Sequence, residues 1–331
     1  MKAVVCRDLG LDATAVEVVV PPAMTDTGVR IAVHAIGVSF ANLLVIDGKH
    51  QNRQAPPFTP GTEVAGIVTQ CGPKATLFKA GDRVVAGVKT GGYAEQVVAP
   101  EDTVFALPDN VGFDDAVQFP TIYATAYGAL VWKAGLQKGE TLLVHGAAGG
   151  SGLAAVEIGK LLGARVIATA GTALKLQAAL EHGADVGINY KEDNFRDKVL
   201  ALTNGLGADV IFDPVGGKVF DESLRCIAPE GRMIPMGFAS GDIPQIPANI
   251  VLVKNITIIG LYWGYYMGWA RQPMQPGTPK KVRAAFHEML AWASDGKLRP
   301  HTWRKYPMQD FKQALAAVSS REVVGRVVLN P

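Results

Sequence analysis

Gly146, Gly149, Gly150 and Gly152 crowd into one short stretch, HGAAGGSG at residues 145–152. Glycines so placed allow a tight turn and let backbone N–H groups approach a pyrophosphate, which the positive end of a following helix attracts. The spacing is G-x-x-G-x-x-G, a variant of the dinucleotide-binding fingerprint. Ser151 stands among them and either adds a hydroxyl near the pyrophosphate or serves no ligand. About 20 residues past such a turn, an NAD site places an Asp or Glu against the ribose 2′-hydroxyl. Ala170, Gly171 and Thr172 occupy that place here, with Lys175 just beyond. No carboxylate repels a 2′-phosphate and Lys175 can pair with one, so NADPH is favoured over NADH. The other reading of Lys175 is a solvated lysine on a helix surface.

The elements around these residues follow from their pattern. Thr141 to His145 is a short apolar run without alternation, as in a strand buried on both faces of a parallel sheet. A helix is expected over Leu153–Leu162, ended by Gly163, and a second strand over Arg165–Ala168. Further βα alternations run through strands at Asp185–Ile188, Asp209–Phe212, Arg232–Met236 and Ile256–Leu261, which gives about six strands and an α/β, doubly wound parallel sheet. Before this region, residues 1–110 read as short strands separated by Pro-Gly, Gly-Asp and Gly-Gly turns. A helical pattern begins near Asp114. After the sheet come a helix at Pro279–Ser294, a strand near Pro300–Tyr306, a helix at Met308–Val318 and a strand at Val323–Leu329, as if the chain returned to its first part.

Composition narrows the function. The 331 residues are 48% hydrophobic and 19% charged, with a formal charge of +2, which describes a globular protein. There is no basic run, so nucleic acid is not expected as a ligand. The most apolar stretch, Ile250–Ala270, is broken by Lys254 and Asn255, so no membrane span is expected. Cys6, Cys71 and Cys226 are an odd number of widely separated thiols, as in a reduced, cytoplasmic protein.

Taken together, AIGVSFANLLVIDGKHQ, PPFTPGTEVAGIV, GDRVVAG, GGYAEQVVAP, TAYGAL, GETLLVHGAAGGSG, FDPVGG and REVVGRVVLNP resemble the medium-chain dehydrogenase/reductase superfamily. Within it they are similar to the zinc-free NADPH:quinone oxidoreductases. The resemblance implies a GroES-like β domain made from both chain ends around a Rossmann domain: residues 1–121 and 263–331 for the first, 122–262 for the second. It also implies a homodimer formed by edge-to-edge extension of the sheet. In zinc-dependent relatives the segments resembling IGVSFANLLV and GTEVAG carry a ligand cysteine and histidine. Ser39 and Thr62 stand there instead, and neutral hydroxyls are poor zinc ligands, so no metal is expected.

Without a metal, the economical chemistry is hydride transfer to an electron-poor acceptor, whose developing negative oxygen takes hydrogen bonds and then a proton. The resemblance points to Ser39, Asn42 and His50 as the catalytic candidates, at positions where many relatives have Asn, Asp and Tyr. All three differ from that pattern. His50 is either a general acid or an exposed loop histidine, and Ser39 and Asn42 are either donors or caps of a local turn. For the cofactor, the resemblance adds Thr125 near the nicotinamide, Gly171 and Tyr190 beside Lys175 at the adenosine 2′-phosphate, and Arg321 at a phosphate. Tyr190 can instead pack on the next helix, and Arg321 can be a solvated arginine. The aromatic stretch Leu261–Pro273 either covers apolar surface or walls an acceptor pocket. Three functions fit: reduction of a quinone, reduction of an α,β-unsaturated carbonyl or acyl-CoA, and NADPH binding without catalysis by a sensor protein.

Overall fold

The structure, a computed structural model, describes residues 1–50 and 53–331. The chain forms two compact units, Met1–Ala124 with Trp263–Pro331, and Thr125–Tyr262.

The first unit is built on a GroES-like sheet whose longest strand is Gly28–Val38. It pairs antiparallel with Glu63–Cys71 on one side, and with Gln96–Pro100 and Arg326–Asn330 on the other. Register shifts at Arg30/Ile31 and Val33/Ala35 bend it, which allows one strand to serve three partners. The final strand thus joins the sheet begun by the first hundred residues. It is also parallel to Thr302–Pro307, and the crossover between them carries the helix Phe311–Ser319. Alternate residues of these strands, among them Ile31, Val33, Val64, Val68, Val97 and Val327, form the core.

The second unit is a six-stranded parallel sheet in the order Val186–Asn189, Arg165–Ala170, Thr141–Val144, Ala208–Asp213, Ile227–Pro235, Thr257–Ile258. Its central strands are buried on both faces, which explains their unbroken apolar runs. The order reverses between Thr141–Val144 and Ala208–Asp213, the switch point at which open α/β sheets hold ligands beyond their carboxyl ends.

Several elements differ from the sequence expectation. The helix after the glycine-rich turn begins at Gly150, not Leu153, so Gly150 and Gly152 lie in its first turn. Its low intrinsic propensity there is outweighed by packing that admits no side chain, described below. The last strand is only Thr257–Ile258, and a helix at Ala248–Lys254 precedes it, ended by Asn255 in the left-handed region at φ +53°. Its Ile-Val-Leu-Val run has the apolar, β-branched composition of a strand, which concealed it. The segment from Asp114 is short α turns joined to wider π turns at Phe119–Tyr123 and Gly128–Lys133, the first containing Pro120. No described helix is long and apolar enough to cross a membrane.

Candidate active site

The glycine cradle lies at the switch point of the second unit. Gly146 adopts φ +55°, a conformation that costs glycine little. The turn closes through Ala147 N–H donating to Thr169 O at 3.0 Å and Gly149 N–H donating to Gly146 O at 3.0 Å. Gly149 caps the helix Gly150–Leu161 with extended backbone. A Cβ on Gly152 would overlap the Gly146 carbonyl and lie 2.7 Å from Ala147 Cα, so helix and turn approach as closely as backbone allows. A Cβ on Gly149 would meet only ordinary contact, at 3.4 Å, which leaves that face bare. The first N–H groups of a helix have no intrahelical partner. A bare backbone turn at such a terminus fits the pyrophosphate of a dinucleotide. Ser151 lies half-buried in the helix's first turn.

Two buried polar groups sit beside this cradle. At the end of Ala208–Asp213, Asp213 Oδ1 accepts from Val215 N–H at 2.8 Å and Gly216 N–H at 3.1 Å. Its Oδ2 is buried without a hydrogen-bond partner among the described residues, and burial pushes the carboxyl pKa up. His145 is buried between Thr169 Oγ1, 2.9 Å from Nδ1, and Ser223 Oγ, 2.8 Å from Nε2. Ser223 donates its one proton to Val219 O at 2.6 Å, so it accepts from Nε2–H, and Nδ1 accepts from Thr169. This network fixes the neutral tautomer, and burial pushes the imidazole down to about 3. The histidine therefore stitches two strand ends and a helix without titrating near neutrality.

At the end of Arg165–Ala170 the structure brings two of the expected cofactor residues together. A Cβ on Gly171 would sit 2.7 Å from Tyr190 Oη, so the tyrosine crosses directly over the glycine. Tyr190 is about half exposed, not packed away beneath the next helix. Thr172 caps the helix Ala173–Glu181, its Oγ1 accepting from Lys175 N–H at 3.3 Å, which sets Lys175 in the first turn. Thr125 opens the second unit, half-buried in the turn Ala124–Tyr127. Arg321 belongs to the first unit, exposed just past the helix Phe311–Ser319 with φ +61°.

In the first unit, Ser39 and Asn42 form a capping box at the start of the helix Phe40–Ile46. Ser39 Oγ accepts from Asn42 N–H at 3.3 Å, and Asn42 Oδ1 accepts from both Ser39 N–H and Ser39 Oγ at 2.8 Å. The fully buried Tyr93 donates to the same oxygen at 3.3 Å. Asn42 is itself buried, and the hydroxyl proton of Ser39 is committed to it. The turn-cap expectation for this pair is thus present in the structure. His50 lies half-buried after the helix, its backbone N–H bonded to Leu44 O at 3.1 Å.

Sequence reasoning missed a buried ion pair in the same unit. Glu63 and Arg326 open the strands on either side of Gly28–Val38, and their side chains pair over Gly37. The hydroxyl of Thr121 also donates to Glu63. Glu63 is wholly buried and Arg326 nearly so; burial pushes the guanidinium down to about 9, still charged at neutral pH opposite its carboxylate. The GTEVAG and VVGRVV segments contain both residues, but nothing in their local pattern announces a partner so distant in sequence. In the aromatic stretch, Trp263 is buried and donates to Pro120 O at 2.8 Å, and Gly87 makes room for Met267 and Trp269, so this part of it is core.

Comparison with known proteins bears on what this arrangement serves. Residues 25–109 match the family described as alcohol dehydrogenase GroES-like domain, and residues 150–275 match that described as zinc-binding dehydrogenase. A quinone oxidoreductase-like protein 2 homolog of Nematostella vectensis is 40% identical over 99% of this chain and 88% of its own. Human quinone oxidoreductase is 32% identical over 88% of this chain and 85% of its own. Among solved structures, Escherichia coli quinone oxidoreductase complexed with NADPH superposes with a TM-score of 0.91 at 28% identity, covering 100% of both chains.

Proposed function

This chain belongs to the zinc-free quinone oxidoreductases of the medium-chain dehydrogenase/reductase superfamily, nicotinamide-dependent oxidoreductases, and from that premise we propose that it reduces quinones with NADPH. The observation that carries the choice of cofactor is the end of Arg165–Ala170, where Tyr190 lies over Gly171, Lys175 stands in the first turn of the next helix, and positions 170–172 hold no carboxylate. The names of relatives at 32% to 40% identity support the quinone.

In this reading Gly146, Gly149, Gly150 and Gly152 hold the pyrophosphate with backbone N–H groups, and Ser151 adds its hydroxyl. Gly171, Lys175 and Tyr190 receive the 2′-phosphate, Thr125 faces the nicotinamide, and Arg321 binds a phosphate. When bound, NADPH supplies a hydride to the acceptor. The protein's remaining task is to orient the acceptor and to satisfy the oxygen on which charge gathers. Ser39 and Asn42 are already bonded to each other, so they shape the loop that leads to His50. An imidazole can hold and give up a proton, which suits His50 to deliver it to the acceptor.

We also propose a cytoplasmic homodimer. Thr257–Ile258 is the edge strand of the six-stranded sheet, and the preceding helix leaves Leu252 and Val253 about three-quarters exposed.

The test is NADPH oxidation at 340 nm against benzoquinone, naphthoquinones, simple enones and an enoyl-CoA. Preferential turnover of the quinones is expected. Preference for an enone or enoyl-CoA would move the chain to enoyl reduction, and NADPH binding without any turnover would make it a sensor.

A further inference from the structure

One residue governs the turn after Val186–Asn189. Asn189 is buried; its Oδ1 accepts from Lys191 N–H at 3.2 Å, and its carbonyl accepts from Glu192 N–H at 3.1 Å and Asp193 N–H at 2.9 Å. Tyr190 N–H donates to Ala170 O at 3.2 Å, the last residue of the neighbouring strand. On an extended strand, Tyr190 and Lys191 would point to opposite sides. This turn instead lays both on one glycine: a Cβ on Gly171 would sit 2.7 Å from Tyr190 Oη and 3.2 Å from Lys191 Cε.

The charge on Lys191 is uncommitted. It makes no ion pair among the described residues, whereas the nearby Asp193 is held by Lys198 at 3.3 Å. Directly beyond Gly171, Thr172 starts the helix that carries Lys175 in its first turn. A glycine without a side chain is therefore overlooked by a phenol and the stem of one lysine, with a helix terminus and a second lysine next in sequence.

We propose that Lys191 is a second cationic contact for the 2′-phosphate of the adenosine ribose and that it sets the preference for the phosphorylated cofactor together with Lys175. The proposal rests on the NADPH reading above and adds to it a residue that the dinucleotide fingerprint does not contain. A phosphate carries close to two negative charges near neutral pH, more than one ammonium neutralises. Lysine serves here as a point charge and needs no fixed fork of donors.

The test uses adenosine 2′,5′-bisphosphate and AMP as probes, titrated calorimetrically into the whole protein, the Lys191→Ala variant and the Lys191→Arg variant. The turn is held by Asn189 and the backbone, so the exposed Lys191 can be exchanged without unfolding it. The unaltered protein should bind the bisphosphate at least about tenfold more tightly than AMP, as charge-assisted contacts to one phosphate require. Lys191→Ala should weaken the bisphosphate roughly five- to tenfold and AMP less than about twofold, and Lys191→Arg should restore most of the loss. Equal weakening of both probes would make Lys191 a part of the turn's shape and overturn the proposal. An unchanged bisphosphate affinity in Lys191→Ala, with the tenfold preference intact in the unaltered protein, would overturn the role of Lys191 and leave the NADPH reading standing. Equal binding of both probes by the unaltered protein would overturn the NADPH reading itself.

Discussion

Replacing Arg326 by Met should destabilise the first unit far more than an ordinary surface change. The guanidinium and the Glu63 carboxylate are both out of water, and the substitution leaves that carboxylate with the Thr121 hydroxyl as its donor among the described residues. Breaking a buried pair by removing one member costs about 3–5 kcal/mol, because the survivor is an uncompensated buried charge. For a unit of this size each kcal/mol shifts the melting temperature by roughly 2–4 °C, so the unit should melt about 6–20 °C lower. The double variant Glu63→Met with Arg326→Met should recover at least half of the loss, since the pair's own solvation cost disappears with it. That cost is real here: Arg326 Nε is buried without a hydrogen-bond partner among the described residues. Differential scanning calorimetry of the unaltered protein, Arg326→Met, Glu63→Met and the double variant measures this. A loss below about 1 kcal/mol in Arg326→Met, or a double variant less stable than either single, would refute the argument.

Three further outcomes follow from the geometry. His145 is held neutral by burial, down to about 3, whereas in the unfolded chain it titrates near 6.5. The unfolded state therefore binds the extra proton, and between pH 6.5 and about 3 stability falls with pH by roughly 1.4 kcal/mol per unit. Denaturant unfolding at pH 7 and pH 5 should show that slope in the unaltered protein and its loss in His145→Gln; parallel slopes would contradict it. Gly152→Ala places a methyl group on the Gly146 carbonyl and Ala147, backbone that cannot move aside. NADPH affinity, followed by fluorescence titration, should fall more than about tenfold, and a change under twofold would mean that turn and helix are not a rigid cradle. Ser39→Ala removes the cap of Phe40–Ile46 and should cost about 1 kcal/mol in thermal stability; an unchanged melting temperature would deny the capping box its role.

The second unit was largely legible in the sequence because its signals are local. A buried strand, a glycine turn, a helix and a second strand lie within some thirty residues, and each has its own pattern. What escaped was set by distant or by purely three-dimensional partners. Glu63 finds Arg326 only after the C-terminal strand joins the sheet, and Tyr93 reaches Asn42 across two loops. The start of the helix at Gly150 defied propensity because the close approach of Gly152 to Gly146 overrides it. Ser39 and Asn42 show the converse. Their spacing is that of a capping box with Asn in place of Glu or Gln, a local signal that the hydrogen bonds realise.

A nicotinamide reductase built for a phosphorylated cofactor must discriminate between NADPH and NADH. The ratio of kcat/KM for NADPH to that for NADH, measured with a single quinone in the unaltered protein and in Lys175→Ala, should strongly favour NADPH in the first and collapse toward unity in the second. The collapse should come from a raised KM for NADPH with kcat little changed. Equal losses with both cofactors, or no preference in the unaltered protein, would contradict the assignment of Gly171, Lys175 and Tyr190 to the 2′-phosphate.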